Sequence, residues 1–136
     1  MLRIPPEEES AALVHWIREW LDLLAAGQLA EACDRLDGPG PDGVDWTPAM
    51  LIALVDDTYR PGTPFRAAHP EGPVFTPVAT VRGRLRPEVI AFDDGSGYWV
   101  DHDMPLNGEV SDLTAQFAFY RRGDFFAVVL HDLHVM

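Results

Sequence analysis

The chain has 136 residues, 47% of them hydrophobic, and a formal net charge of −12. That length fits a single domain, residues 1–136, with a sizeable core. The charge repels nucleic acid and anionic membrane surfaces, whose binding needs clustered cations, and it favours a basic protein partner if there is one. All ten basic residues are Arg, which excludes Schiff-base chemistry and a phosphate-loop lysine. Apolar runs are broken by charge well short of the ~20 residues that a membrane span needs. "MLRIPPEEES" has no apolar stretch of its own and reads as something other than a signal peptide. Cys33 is alone, so there is no disulfide framework and no cysteine metal cluster. The expectation is a cytoplasmic protein. Abundant Arg, Ala, Pro, Gly and Asp without Lys suggests a GC-rich bacterial genome.

Along the chain, Pro5-Pro6 followed by Glu7, Glu8 and Glu9 reads as a helix start, since carboxylates suit the positive end of the helix dipole. Leu13, Trp16, Ile17, Trp20, Leu21 and Leu24 then recur at helical spacing, and Gly27 is the stop. A short second helix carries Leu29, Ala32, Cys33 and Leu36 on one side. "DGPGPDG", residues 37 to 43, is a turn-rich linker. Thr47-Pro48 opens a third helix, to about Tyr59, with Met50, Leu51, Leu54 and Val55 inward. Residues 60 to 77 hold five prolines and read as loop, with one short strand near Phe75. The second half reads as β, with strands at Val78–Leu85, Glu88–Phe92, Tyr98–Asp103, Asp112–Arg121 and Phe125–Val135. "DDGSG", residues 93 to 97, and "RRGD", residues 121 to 124, are hairpin turns.

Three N-terminal helices before an antiparallel meander give an α+β class, with the helices on one face of a curved sheet. "WLDLLAAGQLAEACDRLD", residues 20 to 37, resembles the opening of the nuclear transport factor 2-like (cystatin-like) superfamily, where a long helix ends at Gly and a short helix follows. "SDLTAQFAFYRRGDFFAVVLHDLHVM" resembles an uncharacterised bacterial branch of it. The resemblance implies a cone-shaped, cystatin-like roll. It leaves function open, because the superfamily includes isomerase- and dehydratase-like enzymes, binding modules and proposed toxin-immunity proteins.

Several side chains could carry chemistry. On a strand, Asp101 and Asp103 share a face and His102 points away. Two carboxylates on one face could hold a metal or share a proton, with His131 a possible third group, or they could be a solvated strand end. In "HDLH", His131 and His134 fall on opposite faces of a strand, so one ion is awkward to share and one His would border the helix-covered cavity. Arg82, Arg84 and Arg86 alternate, either as an anion-binding stripe or in cross-strand pairs with Asp101 and Asp103. Ser111-Asp112 lacks a nucleophile elbow and reads as turn chemistry. His15 sits off the apolar stripe of the first helix, beside Arg18, Glu19 and Asp22, and reads as solvated.

Trp16 and Trp20 lie one turn apart on the inward face, where Tyr59, Trp99 and Phe117 could complete a pocket wall. With Asp101 and His131 these form the candidate cavity or ligand-binding set. The strands around "LTAQFAFY" and "FFAVVL" are apolar on both faces, against the alternation expected of a sheet with one wet face. Helices cover one face, and a second copy would cover the other through Phe126, Val128 and Leu130, giving a two-fold dimer. The expected function is therefore a non-catalytic module for a small apolar ligand or a basic protein, possible in an immunity-type role. The alternative is an isomerase- or dehydratase-like enzyme with His131 or Asp101 as base and Tyr59 or Trp99 as donor. No cofactor and no metal are expected.

Overall fold

A computed structural model describes residues 9–39 and 43–135, and residues 2–3 as backbone. The expected helix start at Pro5 to Glu8 and the middle of the 37–43 linker lie outside the described residues. The elements run β1 (Leu2–Arg3), α1 (Glu9–Ala25), α2 (Leu29–Asp34), α3 (Pro48–Thr58), α4 (Pro64–Ala68), β2 (Pro87–Ala91), β3 (Gly97–Leu106), β4 (Glu109–Arg122) and β5 (Phe125–Val135). The fold is α+β, with the helices preceding an antiparallel sheet in the order β1-β5-β4-β3-β2. Among the described residues no helix is long and apolar enough to cross a membrane.

Helix α1 forms because its apolar residues return every three or four positions, and Leu13, Trp16, Ile17, Trp20, Leu21 and Leu24 are the ones it buries. Their target is the sheet face made by Val100, His102 and Met104 of β3, Ala115, Phe117 and Phe119 of β4, and Phe126, Val128, Leu130 and Leu133 of β5. Trp16 meets Phe117 and Phe119 edge-on at 5.8 and 5.9 Å, and Trp20 meets Phe117 at 5.3 Å. Edge-to-face contacts of this kind stabilise beyond the area they bury. The Trp20 indole donates to the Ala32 carbonyl at 2.8 Å, which fixes α2 against α1.

The free edge of β5 is closed by the chain itself. Strand β1 pairs with Phe125 and Phe126. Asp37 then imitates one more strand residue: its N–H donates to the Val128 carbonyl at 2.7 Å, and its carboxylate accepts from the Val128 N–H at 2.8 Å. Trp46 donates from its indole to the Leu130 carbonyl at 2.7 Å. An open edge would template association, and these contacts remove that risk. Gly38 has to be small here, since a Cβ would sit 3.0 Å from Val129.

Four sequence expectations change. Val78–Leu85 is not a strand: Val78–Thr80 is a 3-10 turn and the segment stays irregular to Pro87. Gly83 turns the backbone to φ 89°, and the Arg82 N–H is taken by Gly108 from outside the regular ladder. The 60–77 region contains α4, opened by Thr63-Pro64 just as Thr47-Pro48 opens α3, each Thr side chain accepting from an N–H three residues on. Asn107-Gly108, both at positive φ, makes a tight turn between β3 and β4 that the strand reading did not single out. Finally, Phe126, Val128 and Leu130 are not an interface: they are at most 2% exposed beneath the helices. Helices take one parity of β5, and the alternate residues Phe125, Ala127 and Val129 occupy the outer face.

The N-terminus of α1 is tied down by charge. Glu9, 8% exposed, takes a two-pronged bond from Arg121 at 2.7 and 3.1 Å and a further bond from the Tyr98 hydroxyl. The Arg121 bonds hold the Glu9 carboxyl below its ordinary value of 4.5. Its contribution to stability is therefore full above 4.5 and lost as pH falls through that lowered value. Arg121→Met is expected to cost about 2 kcal/mol at pH 7 by urea unfolding. The gap between wild type and variant should narrow below pH 4.5 as Glu9 is protonated in both.

Candidate functional site

The candidate cavity set is divided by the sheet. Trp16, Trp20 and Phe117 pack on one another in the interior. Tyr59 is also buried there, its hydroxyl bonded to the Asp112 carboxylate, and burial pushes its pKa far up, so it stays protonated. Trp99, Asp101 and His131 lie on the other side. Trp99 pairs across β3–β4 with Ala118 and stacks edge-on with Phe92 at 5.4 Å and with His131 at 5.0 Å. The two candidate bases, Asp101 and His131, therefore face away from the helices, and His131 is exposed.

A bulge explains His131 and His134. Gln116 pairs with Asp132 while its neighbour Phe117 pairs with Leu130, so β5 carries one extra residue, His131. The inward set switches there from Phe126, Val128 and Leu130 to Leu133. His134, paired in register with Thr114, stays on the outer side 3.2 Å from Asp132. Neither His borders the helix-covered interior. The Ser111 hydroxyl donates to the Met104 carbonyl at 2.6 Å and accepts from the Leu113 N–H, while Asp112 serves Tyr59. Among the described residues no cluster of three His, Cys, Asp or Glu side chains could hold a metal ion. Cys33 is half-buried, and burial pushes its thiol up, away from thiolate reactivity.

Asp101 and Asp103 share the outer face and His102 points inward, as strand alternation requires. Asp103 accepts from the Arg86 N–H at 3.0 Å, with the Arg86 guanidinium 3.8 Å away. Arg82 and Arg84 lie outside the regular strands and are exposed. His102 was singled out in sequence only as pointing away from the carboxylates, yet it is the wholly buried ionisable ring of the inner face. Its Nδ1 donates to its neighbour's carbonyl, Asp103 O, at 2.7 Å. Its Nε2 lone pair then accepts from Arg18 Nε at 3.2 Å. That pairing assigns one neutral tautomer. Burial, with Arg18 adding to it, lowers the His102 pKa below 6.5. The signal was legible: His102 has the parity of Val100 and Met104, so it had to enter the core and find two partners there.

Arg18 reaches His102 from the flank of α1. Beside it a groove of about 720 Å³ opens between α1 and the 78–89 segment. The outer face of the sheet is the second surface of note. Phe92, Trp99, Tyr120, Ala127 and Val129 form an apolar centre there, with half-exposed Ile90 opposite Trp99 in β2. Glu88, Asp101, Asp103 and Asp132 lie toward one end, and Arg122 stands over Tyr120 at the other.

A family model described as a domain of unknown function (DUF7668) matches residues 67–136, just over half the chain, from the end of α4 through β5. No curated protein and no solved structure matches the chain. Heteronuclear NMR gives a direct check on the buried pair: His102 should keep its proton on Nδ1 and be less charged at pH 6.5 than an exposed imidazole, which is half charged there. A His102 that is charged at that pH contradicts the assigned tautomer.

Proposed function

The chain belongs to that family of unknown function, and on this premise we propose that it is a non-catalytic binding module that pairs with a second copy through the outer face of its sheet. The observation that carries the reading is the apolar centre around Trp99, Tyr120 and Val129, on a face that the described helices leave uncovered. A sheet face in water should alternate toward polar residues, and this one presents aromatics and Val.

The occupant is argued from charge. A two-fold axis running across the strands near Phe119 turns one copy end for end over the other. Arg122 of one copy then meets the row that contains Asp101, Gln116 and Asp132 of the other, since residues 116 and 122 lie equally far from 119. Apolar centre meets apolar centre, as an isologous contact requires. A stable pair would bury about 800 Å² per partner.

The binding reading is favoured over an isomerase-like one by where the polar groups are spent. The interior is filled by Trp16, Trp20 and Phe117. The one wholly buried His among the described residues has both ring nitrogens engaged. The order of a long helix ended by glycine, a short helix and an antiparallel sheet also supports the likeness to nuclear transport factor 2-like folds.

Sedimentation equilibrium tests the pairing. The wild type is expected at about twice 15.1 kDa. Trp99→Glu should be monomeric with unchanged far-ultraviolet dichroism, because Trp99 is only half-buried in one copy. A wild type that stays monomeric at ~100 µM, well above the micromolar dissociation constants of weak specific dimers, sinks the pairing.

A further inference from the structure

We propose that the groove between α1 and the 78–89 segment binds a small organic anion with an apolar body, its carboxylate held by Arg18. The inference goes beyond the pairing of copies and does not depend on it. Val89 pairs in register with the wholly buried Val100, so the groove opens on the helix side of the sheet, opposite the outer face.

The first observation is an unneutralised cation. The chain carries 22 acidic residues against ten Arg, yet among the described residues the groove lining contains Arg18, Arg84 and His15 and no Asp or Glu. His15 is taken by Glu19 at 2.9 Å, one turn along α1. Arg18 is half-buried, and among the described residues its hydrogen bond goes to an imidazole, not to a carboxylate. Among the described residues neither Arg18 nor Arg84 has an acidic partner. A partly desolvated guanidinium without a counter-charge is costly, and an incoming anion removes that cost.

The second observation is positioning. Among the described residues only the Nε of Arg18 is used, on a neutral His102 that is itself locked by the Asp103 carbonyl, and both terminal nitrogens are left to donate. A guanidinium fork fixed in this way matches the two oxygens of a carboxylate. Because His102 is held neutral by burial, it anchors the fork without cancelling its charge.

The rest of the lining sets the body of the ligand. Val14, Val78, Val81, Leu85 and Val89 make the walls. A volume of about 720 Å³ is in the range of small-molecule sites, and walls of this kind disfavour a bare inorganic anion. Arg84, exposed, supplies a second positive charge to the same lining. The ligand class is therefore a monocarboxylate on a hydrocarbon or aryl body.

Decanoate, titrated below its micelle concentration into the full chain by calorimetry, is the probe. It should bind one per chain with a dissociation constant of about 10–100 µM. Decanol should bind at least tenfold more weakly. Arg18→Met should lower the decanoate affinity about tenfold or more. Val81→Glu places a carboxylate in the groove wall and should abolish binding, while Arg84→Met, at an exposed position, should weaken it about threefold. Trp99→Glu should bind decanoate like the wild type, which separates this site from the pairing face. The inference is overturned if decanoate shows no saturable binding, or if decanol binds equally well. It is equally overturned if folded Arg18→Met and Val81→Glu proteins bind as the wild type does. Loss of binding in Trp99→Glu alone would move the ligand to the sheet face and overturn it as well.

Discussion

Side-chain alternation along β3, β4 and β5 is the constraint on which the molecule depends. One parity has to fill the space under α1, and the other is left for whatever lies on the far side. Val100, Phe117, Phe119, Val128 and Leu130 take the inner parity, where Trp16 meets Phe117 and Phe119 and Trp20 meets Phe117. Everything of chemical interest is sorted by the same rule. His102 goes in, Asp101 and Asp103 go out, and Trp99 goes out with them. A shift of one residue would reverse every assignment, which is why the bulge at His131 matters: it moves His134 to the outer side, where His131 already lies.

Once the sheet is sorted, local chemistry fixes the rest. The Glu9–Arg121–Tyr98 cluster pins the start of α1 across the end of the β3–β4 hairpin. Asp37 and Trp46 close the edge of β5. Asn107 binds the loop before the sheet, accepting from the Val74 N–H at 2.7 Å and donating to the Gly72 carbonyl at 3.1 Å. These contacts give the irregular 60–86 region fixed anchors despite its prolines. They also shape the groove beside Arg18, since the 78–89 wall hangs between Asp22, which accepts from the Val78 N–H, and the ladder of β2 with β3.

The two surfaces differ in kind. The outer face is apolar at its centre with charge toward its two ends, and self-pairing suits it. The groove is apolar at its walls, with a guanidinium on one flank that has no acidic partner among the described residues, and a small anion suits it. Neither uses a buried acid or base. The buried ionisable groups, Glu9, His102 and Tyr59, are each tied to protein partners that fix their protonation states.

The sequence alone determined the elements that carry strong local signals. The 3.6-residue period of Leu13 to Leu24 named the buried face of α1, the Thr47-Pro48 cap opened α3, and "FFAVVL" gave the last strand. The α+β class followed from their order. The sequence could say that β5 is apolar on both faces, but it could not say which face meets the helices, because Phe126 and Phe125 are equally apolar neighbours. Only the tertiary structure decided that, by packing α1 on one parity and leaving the other outside. It alone also decided the cavity set, since Trp99, Asp101 and His131 join Trp16 and Trp20 only if sheet parity and the bulge allow it. Arg18 was legible as a charged flank of α1 and nothing more. Its meaning comes from His102, 84 residues away, and no local pattern encodes a contact at that separation.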